Sequence, residues 1–279
     1  MKDTRRNHKR MDGHFTDDSM LRRVHRERAM VLSGPRALLM QAAHPLAVSG
    51  LLAHSEGFDD PYARLARTAV VMDTIAFGSR EEADHLTAHV RAMHRRVKGR
   101  LREPAGAYPR GTPYRADDPE LLMWILFTLV DSALLVYRMY VGPLSRAEQE
   151  AYWQDYKVIG RLFGLRDRDM PDTLSDLFAY RRRMLDGDEL HVTPWARSRA
   201  RQIVMEPPVP RWARPLLDTV NFITVDLLPG RIRREYGFSR VPPSSVRTLL
   251  VASGAEYVKR ALLPVLPERL RLVPSARAA

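Results

Sequence analysis

Histidines crowd one part of this chain. Of nine in total, all but His191 fall within the first 94 residues, and His44, His54, His85, His89 and His94 lie between positions 44 and 94. Imidazole suits metal ligation and proton transfer near neutral pH. His85 and His89 stand four residues apart, a spacing that lets two rings on one helix face chelate zinc. No HExxH pattern accompanies them and no third ligand follows from the flanking sequence, so a pair of solvated helix histidines is the plainer reading. His94, in "HVRAMHRRVKG", is hemmed in by arginines. A histidine at the border of a buried face can present a ring nitrogen to an enclosed ligand.

The element carrying these residues is an amphipathic helix, "SREEADHLTAHVRAMHRRVKG", opened by a Ser79 cap with acids in its first turn and closed at Gly99. Leu86, Val90, Met93 and Val97 form its apolar stripe. His94 lies about 65° off the centre of that stripe and His89 about 75° off on the other side, at 100° per residue. The wheel leaves both open. In the preceding helix, Asp60-Pro61 to Phe77, the residues Arg64, Thr68, Val71 and Ile75 share one stripe. A buried arginine requires an anionic or hydrogen-bonding partner. Either Arg64 snorkels or meets an internal carboxylate such as Asp131, or Arg64 and Thr68 turn into a pocket. Arg67, one step round from Thr68, reaches the same space.

The rest of the chain supplies the scaffold. Its 279 residues suffice for a sizeable core, and 45% hydrophobic with 28% charged content is ordinary for a globular protein. With no cysteine there is no disulfide framework and no thiolate ligand, which fits a reducing compartment. The net charge of +12 is carried almost entirely by arginine, spread along the chain and mixed with acids. No basic helix alternates with stacking aromatics, so nucleic acid is not an expected partner. The N-terminus is basic without an apolar run behind it, unlike a secretory signal, and the expected location is cytoplasmic. Residues 1–19 read as a basic mobile tail, 20–263 as the helical domain and 264–279 as a Pro- and Arg-containing tail. A peripheral membrane contact through the basic tail and a homo-oligomer stay open.

Helical patterns dominate, so the expected fold class is all-α, a single multi-helix globular bundle with a central buried helix. A basic amphipathic stretch covers Leu21–Leu32, and Gly34-Pro35 opens a helix running to His44. His44 and His54 read as helix-end residues with packing or hydrogen-bonding roles. A Pro- and Gly-rich loop spans 103–116. Asp117 or Asp118 caps a long helix to about Gly142, Ser145 opens the next in capping-box fashion, and Thr173 or Ser175 caps another. Helices near 192–205, 211–226, 229–236 and 244–263 follow, with no strong alternating strand pattern. The run "LLMWILFTLVDSALLVYRMYV" is long enough to span a bilayer. Asp131 in its middle and Arg138 near its end are costly in lipid, which favours a core helix and no membrane span.

The segment from "LLMQAAHPLAVSGLLAHS" through "RLARTAVVMDTIAFG" to "HVRAMHRRVKG" resembles the catalytic domain of the MpaB-type oxygenases and the latex-clearing rubber oxygenases. The likeness continues through "YRADDPELLMWILFTLVDSALLVY", "SRAEQEAYWQDYKVIGRLFG" and "LLPGRIRREYGF", covering roughly residues 30–240. It implies an all-helical domain that binds haem b, with His94 as the proximal iron ligand. Arg64 and Thr68 match the family's RxxxT on the distal side, where Arg64, Arg67 and Thr68 would act on dioxygen and Arg64 would also contact the cofactor. Latex-clearing protein has a lysine just before that threonine; here the position is Arg67. A guanidinium stays protonated and is a poor metal ligand, so Arg67 is expected to donate hydrogen bonds to dioxygen or to pair with a propionate. The implied activity is oxygenation or oxidative cleavage of a hydrophobic small molecule, with an intracellular lipid or terpenoid favoured over extracellular rubber. The alternative is a haem or hydrophobic-ligand binding protein without oxygenase activity.

Overall fold

The computed structural model describes residues 13–54, 61–205, 214–238, 253–263 and 265–278. The fold is all-α with one small β-ribbon. Helices α1 (Met20–His25), α2 (Ser33–Ala42), α3 (Pro45–His54), α4 (Pro61–Phe77) and α5 (Arg80–Arg96) come first. Strands β1 (Lys98–Arg100) and β2 (Pro113–Arg115) follow as an antiparallel pair. Then come α6 (Pro119–Tyr140), α7 (Arg146–Leu162), α8 (Leu174–Asp186), α9 (Pro194–Met205), α10 (Arg214–Asp226) and α11 (Gly230–Glu235). A π-helical turn at Val258–Leu262 and the short helices α12 (Glu268–Arg271) and α13 (Pro274–Ala278) close the described chain.

Helix α6 is the axis of the bundle. Asp118 caps it by accepting from the amides of Glu120 and Leu121, and Pro119 occupies the first turn, where its missing N–H costs nothing. Apolar residues face every direction around it, the signature of a helix enclosed on all sides. Trp124, Phe127, Val130 and Val136 are fully buried. By length and composition α6 could cross a membrane, yet 72% of its most apolar window is buried inside the protein. Helix α2 lies along it.

The polar break in α6 is matched from within. Arg36, on α2, donates to Asp131 Oδ2 at 2.7 Å, to Ser132 Oγ at 2.7 Å and to the Leu227 carbonyl at 2.7 Å. Arg181 reaches the other carboxylate oxygen at 3.2 Å. Asp131 therefore serves Arg36 and Arg181, and the alternative in which it meets Arg64 falls on a side chain outside the described residues. Two cations from α2 and α8 already satisfy the carboxylate.

Both ends of the domain extend past the expected boundaries. In the supposed N-terminal tail, residues 13–19 pack onto the bundle. Phe15 is buried, His14 Nε2 lies 2.7 Å from Asp84, and Asp17 pairs with the buried Arg22. Residues 1–12 lie outside the described structure. In the supposed C-terminal tail, Arg271 grips the buried Glu27 through two nitrogens and Leu272 bridges to Glu27. A buried carboxylate and a buried guanidinium each demand a partner, and these flanking segments provide them.

Several local expectations shift. The stretch Leu21–Leu32 divides into α1 and a 3-10 turn at Arg28–Leu32. Helix α5 ends at Arg96, and Gly99 belongs to β1. A Cβ at Gly99 would lie 2.4 Å from the Tyr114 hydroxyl across the ribbon, so only glycine allows this pairing. Strands of three residues are too short to display a period-2 pattern. Of the helix expected over 244–263, residues 244–252 fall outside the described residues, and 253–262 are helical, ending in a π-helical turn.

Candidate functional site

Helices α4 and α5 form a hairpin through Gly78 and Ser79. Ser79 accepts from the Glu82 amide while Glu82 accepts from the Ser79 amide, a reciprocal cap that fixes where α5 begins. At 1.5 Å per residue, Arg64 and His94 each lie about 21–23 Å from this turn, and Thr68 about 15 Å. Chain geometry thus brings Arg64 and His94 to one height of the hairpin, with Thr68 a turn nearer the connection.

The buried face of α5 is not the apolar stripe of the sequence. Ala83 and Thr87 are fully buried, whereas Met93 is 49% exposed. Successive steps of four and seven place His94 on the line of Ala83 and Thr87. Thr87 tolerates burial because its hydroxyl donates to the Ala83 carbonyl at 2.8 Å. His94 is half-buried with Nδ1 enclosed by protein, while His85 and His89 are exposed. The expected border position of His94 thereby becomes a central one. Among the described residues, no group of three or more His, Asp or Glu side chains is arranged to hold a metal ion, and His85 with His89 acquires no third ligand.

Among the described side chains of α4, the buried ones are Met72, Ile75 and Ala76. Thr68 follows the same stripe as Ile75 but is exposed, as is Arg67. Of the stripe predicted from sequence, Ile75 is buried and Thr68 is exposed. The Arg64 side chain lies outside the described residues. Exposed cations surround the open end of the hairpin, with Arg67 on α4, Arg95 and Arg96 on α5 and Lys98 just beyond. Arg91 instead turns back to donate to the Leu162 carbonyl.

A histidine that sequence reasoning assigned to packing occupies a more telling place. His44, 4% exposed, precedes α3 and forms part of the wall of a cavity of about 160 Å³. Its Nε2 lies 3.4 Å from the Tyr108 hydroxyl. Burial pushes its pKa down to about 4, opposed by the nearby Asp118 carboxylate, so the ring is neutral at pH 7. Burial together with Glu189 and Glu120 raises the Tyr108 phenol. The sequence signal was His-Pro at a helix start, but the cavity depends on the distant loop carrying Tyr108. His54, the other helix-end histidine, has a side chain outside the described residues.

Two curated proteins resemble about half of this chain. They are the uncharacterized protein Mb2261 of Mycobacterium bovis and the uncharacterized protein Rv2237 of Mycobacterium tuberculosis, each 24% identical over 130 residues. That alignment covers 47% of this chain and 48% of each relative, so the chain spans about half the length of the curated relatives it matches. No solved structure matches the chain. The family described as "ER-bound oxygenase mpaB/B'/Rubber oxygenase, catalytic domain" matches residues 22–260, nearly the whole described fold, and the chain belongs to that family of oxygenase catalytic domains.

Proposed function

We propose that this protein is a haem b-dependent oxygenase that uses dioxygen to oxygenate or cleave a hydrophobic small molecule. The observation that carries this reading is the position of His94, half-buried on the Ala83–Thr87 line of α5 with Nδ1 sealed from solvent. His94 would be the residue that holds the cofactor's iron. His94 would offer Nε2 to the iron, with the enclosed Nδ1 keeping the ring's orientation. Arg67, Arg95 and Arg96 would meet the propionates, since guanidinium and carboxylate pair in two-pronged geometry. Arg64 and Thr68 would supply hydrogen-bond donors to the dioxygen co-substrate. Bound haem would supply the one-electron oxygen chemistry that side chains lack. Action inside the cell on an unsaturated lipid or terpenoid belongs to the same proposal.

A second reading is a haem or apolar-ligand carrier without oxygenase activity. The exposure of Arg67 and Thr68 favours it, because donors open to water give little selective stabilisation to a bound oxygen species.

Haem titration followed by visible absorption tests the first step, beside His94→Ala. Saturable binding near one equivalent, with the Soret band lost or displaced in the variant, is expected. Absence of saturable binding removes both haem readings. Oxygen uptake by the loaded protein with a panel of alkenes and unsaturated lipids then separates them, since uptake above the haem-only background is expected of the oxygenase alone.

A further inference from the structure

The positive charge of this chain is unevenly placed. Residues 95–115 hold seven basic side chains against one acidic side chain, Glu103, and so carry half of the net charge of +12. The fold turns this stretch outward. The β1–β2 ribbon lays its inner face on α3, where a Cβ at Gly50 would lie 3.3 Å from Val97 and 3.7 Å from the Tyr114 ring. Side chains alternate along a strand, so Lys98 and Arg100 of β1 and Arg115 of β2 share the outer face. Lys98 stands directly opposite Arg115 in the register, and like charges so placed oppose strand pairing. Arg102 and Arg110 are exposed in the loop that joins the strands.

Arginines elsewhere are matched. Arg22, Arg36, Arg161, Arg183 and Arg271 each meet a carboxylate. On the ribbon Arg115 meets Asp117, but Arg100, Arg102 and Arg110 form no ion pair among the described residues. Arg100 donates only to the Gly111 carbonyl, at 2.9 Å. Concentrated, exposed and unmatched cations call for an anionic partner.

The surroundings of these cations select among anions. Nucleic acid would need rings on which to stack bases, yet Tyr114 is 6% exposed and the Tyr108 ring is turned to His44, with centroids 5.6 Å apart. A specific protein interface has an apolar centre within its polar rim, and no large apolar side chain between 95 and 115 is exposed. A bilayer surface needs neither feature. Its phosphates accept guanidinium groups in two-pronged geometry wherever these fall on the face. Met93, 49% exposed and about 60° round α5 from Arg96, adds one apolar side chain beside the charges.

We propose that the outer face of the β1–β2 ribbon, with Arg102 and Arg110 of its loop, docks on the anionic phospholipid surface of a bilayer. Lys98 follows His94 by four residues, so docking holds the open end of the α4–α5 hairpin at the membrane, where apolar molecules collect.

The test is co-sedimentation of the full chain with vesicles of phosphatidylcholine alone and of phosphatidylcholine with about a quarter phosphatidylglycerol. One variant combines Arg100→Gln, Arg102→Gln and Arg110→Gln and leaves His94, Arg95 and Arg96 in place. A control combines Arg146→Gln, Arg168→Gln and Arg182→Gln, which removes the same charge from exposed positions elsewhere. Binding at least tenfold tighter to the anionic vesicles than to the neutral ones is expected, weakened by raising salt from about 0.1 M to about 0.5 M. The ribbon variant should bind at least tenfold more weakly than the parent and the control within threefold of it, with melting curves showing both folded. Sedimentation needs no bound haem, so its outcome is separate from that of the haem reading. The proposal is overturned by absence of binding, by equal binding to neutral vesicles, or by an equal loss in the control. It is overturned as well by a ribbon variant that binds as the parent does, which would move the contact to the basic residues 1–12. Preference for a DNA duplex or for polyglutamate over the anionic vesicles, at equal charge, would give the surface to another partner and overturn it too.

Discussion

His94 stands two turns beyond Thr87 on the same buried line of α5, and this alignment separates it from His89, which the sequence left as its equal. The apolar stripe predicted from Leu86, Val90, Met93 and Val97 is rotated from the face that packs. The hairpin with α4 and the contact with α7 select the narrow Ala83–Thr87 side, where small residues permit close approach.

The rotation has a spectroscopic consequence. His89→Ala and His85→Ala, both at exposed positions, are expected to leave the haem-loaded spectrum unchanged, whereas His94→Ala displaces or abolishes the Soret band. A displaced band in His89→Ala with a parental band in His94→Ala would reassign the iron ligand.

Arg271 holds the carboxylate of Glu27 at 2.7 and 2.8 Å, and Glu27 is 1% exposed. Removing the cation leaves the buried carboxylate, among the described residues, with only the longer, 3.7 Å contact to Arg26. Arg271→Ala should destabilise the fold by about 2 kcal/mol, below the usual cost of breaking a buried pair because about a third of the Arg271 side chain is open to water. Urea denaturation measures this directly, and an unchanged midpoint would show that the C-terminal segment is not a structural clamp.

Asp131 joins α2, α6 and α8 through Arg36 and Arg181. Asp131→Ala leaves the Arg36 guanidinium buried without its carboxylate, and a loss of about 3 kcal/mol is expected. Asp131→Asn, which retains a hydrogen-bond acceptor, should cost less. Equal losses in the two variants would mean that charge is irrelevant at this junction.

Acid should weaken the fold between about pH 6.5 and 4. His25, whose Nε2 lies 3.0 and 3.1 Å from the Tyr152 and Tyr156 hydroxyls, is pushed down to about 4 by burial, as is His44. Between their unfolded value of 6.5 and the folded value, the unfolded chain takes up protons that the native state refuses. Stability is therefore complete above pH 6.5 and falls as pH drops toward 4, by roughly 2–3 kcal/mol per histidine at most. Denaturation midpoints at pH 7.5, 6.0 and 5.0 should fall in that order, and His44→Asn should flatten the slope. A midpoint that stays level down to pH 5 contradicts this account.

What the sequence determined by itself was the set of elements. Helix starts are written in short-range chemistry, and Ser79, Asp118, Ser145 and Thr173 all cap where their side chains could reach the next free amides. The central helix was legible because apolar residues on every side of a helix leave it no stable place but the interior. The family was legible too, since its motifs run through the helices that build the core. Tertiary structure alone decided which face of α5 packs, which cations serve Asp131, that the flanking segments complete the domain, and that His44 borders a cavity. Each of these depends on partners tens to hundreds of residues away in the chain. Burial and the pairing of buried charge are properties of the assembled layers, and no local pattern encodes them.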